Sequence, residues 1–462
     1  MKEFDKELVT GSIFRSVWKL AWPVILLQSI MGVHGFVDHI LVGNYVEDYA
    51  ANAAIGISWQ LFLVLMVFIA MFFNGMGILV ARYSGRQEKK TVNQIAYQVF
   101  LASSYIVLFI AAPLGYLLTP HLIDIIGASP EIREYAQPYL RVLFTCSLPL
   151  FMTFALNSAF QATGDPRTPL KLGILTTLLN VALSYVLITG LGPIPAFGAL
   201  GAAIGTVVAP LPSLAVAISL VMRHKMIVGP PERLTLALDF SVIKSVAKLG
   251  IPTGIQAVLL NVGGVLLLRF IGSLENSTAA LAAYTICYTQ LFSFVTWASF
   301  GLRASSATIM GQNLGAGQPV RARRGVYVTT FMAMLWAGAW AAVYWTAPEF
   351  LMGLFNYPEG DVFLIGKELL HFLSGSAFFV SAALAFTGGL QGAGDVKTPM
   401  YVAFLSQIVV VLGTCFVLDR MDRLTASWIW TAILMGHSTR FLATAAVFER
   451  GKWIHIKMDL EG

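Results

Sequence analysis

The stretch Gln161-Ala-Thr-Gly-Asp-Pro-Arg-Thr-Pro169 occurs a second time, 230 residues later, as Gln391-Gly-Ala-Gly-Asp-Val-Lys-Thr-Pro399. The same offset relates two further pairs, Gln60-Leu-Phe62 with Gln290-Leu-Phe292 and Gly85 with Gly315. A single offset that holds at three separate places indicates an internal duplication. The chain therefore consists of two related halves.

Each copy of this stretch has the signals of a helix end followed by a helix start. A glycine ends one predicted helix, and Thr-Pro begins the next. Asp165 and Asp395 are expected to accept hydrogen bonds from the exposed backbone amides of the second helix. We interpret both as turn residues and assign neither to transport.

The composition is that of a membrane protein. Of the 462 residues 57% are hydrophobic and only 12% are charged, against about 25% charged in soluble domains. The net charge of +6 comes from basic residues in short loops, which favours membrane orientation over nucleic-acid binding. The three cysteines lack CxxC spacing and lie in apolar segments: Cys146, Cys287 and Cys415.

Twelve segments reach the roughly 20 apolar residues that a helix needs to cross a bilayer. They are predicted at 17–43, 52–82, 94–119, 135–162, 168–191, 197–222, 246–272, 278–312, 325–347, 363–391, 399–418 and 424–448. The sequence thus predicts an all-α polytopic membrane protein.

The longest polar interruption, 224–245, lies near the middle of the chain and is the predicted cytoplasmic linker. It separates an N-terminal six-helix lobe, 1–223, from a C-terminal six-helix lobe, 246–462. Because six is even, the lobes share their orientation and are expected to be related by an axis along the membrane normal. The distribution of Lys and Arg places both termini in the cytoplasm, with residues 1–19 as an interfacial helix.

A further motif, Gly311-Gln-Asn-Leu-Gly-Ala-Gly317, stands at the end of predicted span eight. With the twelve spans and the duplicated turn, the chain from about Val17 to Arg450 resembles the multidrug and toxic-compound extrusion (MATE) family. The resemblance implies a V-shaped bundle with a cavity between the lobes. It also implies export of small organic cations or amphiphiles in exchange for H⁺ or Na⁺, by a monomer in a prokaryotic cytoplasmic (inner) membrane.

Asp38 is the acid that the sequence places well inside the hydrocarbon region. A carboxylate there costs about 2.5–3.5 kcal/mol on insertion scales, so it usually handles an ion or has a partner. Asn157, Asn180 and Thr206 match the positions that line an ion site in the DinF-like branch of the family. Ser184 stands where that branch has a second carboxylate.

Two ions, H⁺ and Na⁺, are candidates for the coupling ion. The missing carboxylate at Ser184 favours H⁺ carried by Asp38, and Na⁺ held by Asp38, Asn180 and Thr206 is the alternative. A third interpretation is a structural carboxylate that bonds Asn180 or Thr206 and never titrates. The second lobe has no acid at the equivalent position, so coupling is expected in the first lobe.

Other polar and aromatic residues in the spans are candidates for the substrate cavity. They are His34, Gln60, Gln256, Asn261, Tyr284, Tyr288, Gln290 and Phe292. Such walls suit amphiphilic compounds because aromatic side chains contact both apolar groups and cations. Arg141, Arg303, His437 and Arg440 also lie within spans, but no acid partner is evident in the sequence.

Two other classes of function are alternatives to drug export. A flippase for lipid-linked saccharides or cell-wall precursors would need a strongly basic central cavity. A membrane enzyme would need a catalytic constellation, and the sequence contains neither HExxH nor GxSxG. We therefore expect a transporter without cofactors, not an enzyme.

Overall fold

The computed structural model describes residues 3–46, 48–355, 357 and 359–460, without the side chains of residues 31–39 and 49. Every regular element in these ranges is helical. The predicted spans correspond, in order, to helical stretches whose observed bounds define spans 1 to 12. These are Ile13–Tyr45, Tyr49–Gly85, Lys89–Ile126, Pro130–Ala162, Arg167–Thr189, Ala199–Met222, Phe240–Gly272, Ser277–Gly315, Pro319–Thr346, Asp361–Gly392, Lys397–Arg420 and Ala426–Glu449.

Within the described ranges, nine of these stretches are long and apolar enough to cross a membrane, and span 4 makes a tenth if its two parts are counted together. Span 4 bends by 50° between Pro130–Cys146 and Leu148–Ala162. Pro149 lies in the first turn after the bend, and its missing N–H and its ring interrupt the helical hydrogen bonds there. The all-helical, twelve-span prediction is confirmed.

In the described part of the chain, three spans contain a π-helical segment, in which one turn is wider than in an α-helix. The segments are Ile106–Ala111 in span 3, Thr285–Leu291 in span 8 and Phe404–Leu412 in span 11. Such segments are frequent at functional sites because they displace side chains from the regular helical register. Two of the three lie in the second half of the chain.

The duplicated turns have the predicted geometry. Gly164 and Gly394 adopt φ angles of 93° and 96°, a region in which a side chain would be strained. Asp165 Oδ1 accepts from the Thr168 amide at 3.2 Å, and Asp395 Oδ1 accepts from the Thr398 amide at 3.1 Å. Both carboxylates satisfy a backbone donor at the start of the following span, as predicted.

The chain divides into two compact units. The first contains Leu26–Ile251, and the second contains Lys6–Ile25 together with Pro252–Met458. The predicted lobes 1–223 and 246–462 differ from these units at their ends, since the first half of span 1 groups with the second unit. The lobe boundaries stay a prediction about the membrane-spanning halves.

The predicted linker is shorter than expected, and it is attached to the first unit. Span 7 already begins at Phe240, and the segment 229–239 lies along span 3. Seven hydrogen bonds join that segment to the side chains of five span-3 residues: Asn93, Gln94, Tyr97, Gln98 and Tyr105. The residues recur on one helical face, so the linker is a docked strap.

The described part of the predicted interfacial helix 1–19 is not one continuous helix, and its position at the membrane interface stays a prediction. A one-turn helix, Glu7–Thr10, precedes span 1, and Leu8 is buried in a core of the second unit. The Leu8 carbonyl accepts from Asn313 Nδ2 and Arg321 Nη2, each at 3.3 Å. This segment packs against protein because Leu8 has an apolar partner surface and its carbonyl has donors.

Candidate functional site

Three of the predicted ion-coupling residues lie together in the first unit. Asn180 and Ser184 are one turn apart on span 5, and Thr206 lies on span 6. Asn180 Nδ2 is 3.4 Å from Ser184 Oγ and 3.4 Å from Thr206 Oγ1. All three side chains are buried. We call these three residues the Asn180 group.

Small residues on span 6 allow this close approach. A Cβ atom added to Gly205 would lie 2.6 Å from Ser184 Oγ, and one added to Gly201 would lie 2.6 Å from the Leu187 carbonyl group. Two glycines four residues apart form the packing face by which membrane helices approach closely. Spans 5 and 6 therefore bring the Asn180 group together through backbone proximity.

Two of the predicted coupling residues have buried amide oxygens that lack donors. Within the described residues, Asn180 Oδ1 and Asn157 Oδ1 have no hydrogen-bond partner. Asn157 is buried on the second part of span 4. A buried polar atom without a partner is uncommon and calls for an explanation such as a water or an ion. Both oxygens are suited to a proton donor or a cation.

Asp38 and His34 lie in the helix Ile13–Tyr45, but their side chains are outside the described residues. The predicted contacts of Asp38 with Asn157, Asn180 and Thr206 therefore stay a prediction. In the described part of the chain, no three His, Cys, Asp or Glu side chains converge in a way that could hold a metal ion. Among the described residues, the Asn180 group offers a Na⁺ ion only uncharged oxygen ligands.

The predicted cavity residues of span 8 form an aromatic column in the second unit. Tyr284 stacks on Tyr288 with ring centroids 4.9 Å apart and on Trp430 at 6.1 Å. Tyr288 in turn stacks on His437 at 6.4 Å, and Phe292 stacks on His437 at 6.0 Å. The sequence predicts the span 8 members of this column but not Trp430, because nothing in the sequence relates span 12 to span 8.

The remaining predicted cavity residues are dispersed. Gln256 is buried and accepts a hydrogen bond from Gln391 Nε2 at 3.0 Å. Asn261 is exposed and donates to its own helix at Ala257, while Gln60 is exposed in the first unit. Gln290 is partly exposed. The structure groups the aromatic residues of the predicted set but not its amides.

The three unassigned arginines occupy different settings. Arg141 lies over the Tyr116 ring at 4.4 Å, and Arg303 lies over the Phe300 ring at 5.5 Å. Arg440 instead donates from Nε to Ser406 Oγ at 3.2 Å and from Nη2 to Gln407 Oε1 at 3.5 Å. Ser406 and Gln407 are not among the predicted site residues, although two adjacent polar residues in an apolar span are a signal by which the sequence could indicate them.

A cavity of about 930 Å³ opens between spans 7 and 11. Its lining is mixed: Leu266, Phe270, Ile408 and Leu412 are apolar, while Arg269, Arg420, Asp419 and Asp422 contribute charges of both signs. Ile408 and Leu412 belong to the π-helical segment of span 11. The cavity thus adjoins the stretch of span 11 that bonds Arg440.

Apolar spans that enclose buried polar and charged side chains define an integral membrane transport protein. Residues 23–186 and 252–417, more than half of the chain, match the MatE family, so the chain belongs to that family of transporters and is not an enzyme. The two matched segments also reproduce the duplication. The family prediction made from the motifs is confirmed.

Curated relatives match along almost the entire chain. A probable multidrug resistance protein NorM from Thermotoga maritima is 24% identical over 98% of this chain and 93% of its own length. A probable multidrug resistance protein YoeA from Bacillus subtilis is 22% identical over 91% and 90%. An outward-facing multidrug resistance MATE family transporter of the MOP superfamily superposes with a TM-score of 0.88 at 18% identity, over 98% of this chain and 99% of that one.

Proposed function

We propose that this chain is a secondary active multidrug exporter that exchanges cationic or amphiphilic compounds for H⁺ by alternating access. Relatives described as multidrug resistance proteins support the class of cargo. The observation that carries the coupling site is the buried Asn180 group with its unpartnered Asn180 Oδ1. A buried oxygen without a hydrogen-bond donor is costly unless a proton donor, a water or an ion satisfies it.

Asp38 carries the proton in this mechanism. Ionised carboxylates lose their hydration at membrane depth, which favours the neutral form when the site faces the outside. Neutral Asp38 lets span 1 repack and releases the compound outward, and loss of the proton to the cytoplasm resets the carrier. Ser184 supplies a hydroxyl where a second carboxylate would strengthen Na⁺ binding, and this favours H⁺ over Na⁺.

The proposal includes the setting of the protein. Both termini face the cytoplasm of a prokaryotic cell, the chain lies in the cytoplasmic (inner) membrane, and it acts as a monomer among lipids. No cofactor takes part.

Dye efflux from proteoliposomes with separately imposed pH and Na⁺ gradients tests this proposal. We expect a pH gradient to drive export of a fluorescent cation by the native chain. Asp38→Asn cannot release a proton, so export should fall at least tenfold. Asp124→Asn removes an exposed carboxylate that pairs with Arg133 and serves as the matched control with unchanged export.

Undiminished export by Asp38→Asn under a pH gradient would overturn the coupling role. Export driven by Na⁺ alone, at constant pH, would replace H⁺ with Na⁺ as the coupling ion.

A further inference from the structure

The strap 229–239 and the residue that follows it present large apolar side chains on the surface of the first unit. Leu234 and Leu236 are 68% and 75% exposed, and Phe240, the first residue of span 7, is 76% exposed. Exposed apolar side chains that are close together mark a surface that contacts lipid or another protein. The depth at which the strap lies distinguishes between these two partners.

Hydrogen bonds to span 3 show how far along that helix the strap reaches. The amide of its first residue, Gly229, donates to Asn93 Oδ1 near the start of span 3. The Leu236 carbonyl accepts from Tyr105 Oη at 2.8 Å, much further along the same helix. The next hydrogen bonds of the strap go back to earlier residues of span 3 and end at Gln94. Leu236 is therefore the tip of a loop that descends along span 3 and returns.

The position of Tyr105 on span 3 places this tip at the edge of the hydrocarbon core. Tyr105 is about 24 Å along the helix from its first residue, Lys89, and about 28 Å before Asp124. Asp124 forms an exposed ion pair with Arg133 near the other end of the span. Since the hydrocarbon core is about 30 Å thick, Asp124 and Tyr105 mark its two edges. The Tyr105 side chain points back towards the start of the helix, so the tip lies where acyl chains meet lipid headgroups.

The backbone of the strap has the hydrogen bonds that this environment requires. Three successive carbonyls, those of residues 235–237, accept from the side chains of Tyr97, Tyr105 and Gln98. Irregular backbone at membrane depth needs partners from the protein, because lipid supplies none. Span 3 thus satisfies the polar backbone of the strap and leaves its apolar side chains facing outward.

We propose that the strap is an interfacial membrane anchor, held at its depth by span 3, whose Leu234, Leu236 and Phe240 side chains insert among lipid acyl chains. The leaflet is the one on the side of the chain termini. Arg233, which is exposed beside these residues, extends towards the lipid phosphates as long basic side chains do at membrane interfaces. This inference goes beyond drug export, because it gives the connection between spans 6 and 7 a lipid-binding role that does not depend on the coupling ion.

Nitroxide labelling of single cysteines measures the depth of the strap. The background is the full chain with Cys146→Ser, because Cys146 is exposed and the other two cysteines are buried. Leu236→Cys is labelled and reconstituted in nanodiscs of phosphatidylcholine and phosphatidylglycerol. Electron paramagnetic resonance then gives the collision rates of the label with oxygen, which concentrates in the acyl region, and with a nickel chelate, which stays in water.

Two further labelled positions serve as references for lipid and for water. Leu117→Cys replaces a side chain of span 3 that is 66% exposed in the apolar part of the helix. Glu232→Cys replaces an exposed acid earlier in the strap. We expect the ratio of oxygen to chelate collisions at 236 to be several-fold higher than at 232 and close to that at 117. Equal ratios at 236 and 232 would overturn the anchor and assign the apolar patch to a soluble partner.

Tyr105→Phe tests whether span 3 holds the tip at this depth. The change removes only the hydroxyl that donates to the Leu236 carbonyl, so the collision ratio at 236 should fall several-fold towards that at 232. Tyr116→Phe, on the same span, keeps its ring over Arg141 and is the matched control with a native ratio. An unchanged ratio in Tyr105→Phe, or an equal fall in both variants, would contradict the role of span 3 in the anchor.

Discussion

At Gly205 the backbone of span 6 touches span 5 beside Ser184, and this contact is one of the two that bring the Asn180 group together. A Cβ there would lie 2.6 Å from Ser184 Oγ and 3.1 Å from the Ser184 amide nitrogen. The Ser184 amide nitrogen belongs to the backbone and cannot rotate away from the added Cβ atom. Such contact can be relieved only by moving the spans apart, which would also separate Asn180 from Thr206.

Gly205→Ala should therefore destabilise the protein by about 1–3 kcal/mol, the usual cost of overpacking a tight core. The measurement is the thermal unfolding midpoint of the purified chain in detergent. Gly264→Ala is the control, since a Cβ on that helical glycine has nothing within 4 Å. It should be neutral or slightly stabilising, because alanine loses less conformational freedom than glycine. Equal midpoints for the two variants would show that the Gly205 contact carries no packing strain.

Among the structural elements, the strap 229–239 depends most on a single helix. Gln98 of span 3 fixes its second half, since Oε1 accepts from the Asp239 amide at 2.8 Å and Nε2 donates to the Ala237 carbonyl at 3.3 Å. Asp239 Oδ1 in turn accepts from the Ser241 amide at the start of span 7. The strap thus determines where span 7 begins.

Gln98→Ala should release this strap while the spans stay intact. Trypsin cleavage after the exposed Arg233 should become several-fold faster, because the two lost hydrogen bonds no longer hold the chain against span 3. Limited proteolysis followed by mass spectrometry measures the rate. Gln60→Ala, which removes an exposed glutamine elsewhere in the first unit, should cleave like the native chain. A native cleavage rate in Gln98→Ala would mean that the strap is held by its other contacts.

For the whole molecule, the orientation prediction follows from the placement of basic residues. If both termini are cytoplasmic, the connection between spans 9 and 10 lies outside and the segment after span 12 lies inside. Buried Cys287 and Cys415 are protected from reagents, and Cys146 is exposed. A Cys146→Ser background therefore suits accessibility labelling.

In that background, Glu359→Cys should react with a membrane-impermeant maleimide in intact cells, and Lys452→Cys should react only after the cells are broken. Both parent residues are exposed, so burial does not explain a difference. Gel-shift labelling reads the outcome. The reverse pattern would place the termini outside, and the direction of transport proposed above would then be reversed.

Much of this protein follows from the sequence alone. Apolar runs give twelve spans because a bilayer admits only backbone that bonds within its own segment. The repeated turn predicts the duplication and the roles of Asp165 and Asp395, since those depend on residues close in sequence. Asn180 and Ser184 are related by helical spacing, which is also local.

The contacts between spans are decided by the tertiary structure alone. The approach of Thr206 to Asn180 depends on Gly201 and Gly205, and the pairing of Arg440 with Ser406 and Gln407 depends on a π-helical segment and on Gly436. The attachment of Leu8 to Asn313 joins residues about 300 positions apart. None of these contacts has a sequence period, because they arise from side-chain volumes packed across helices that are distant along the chain.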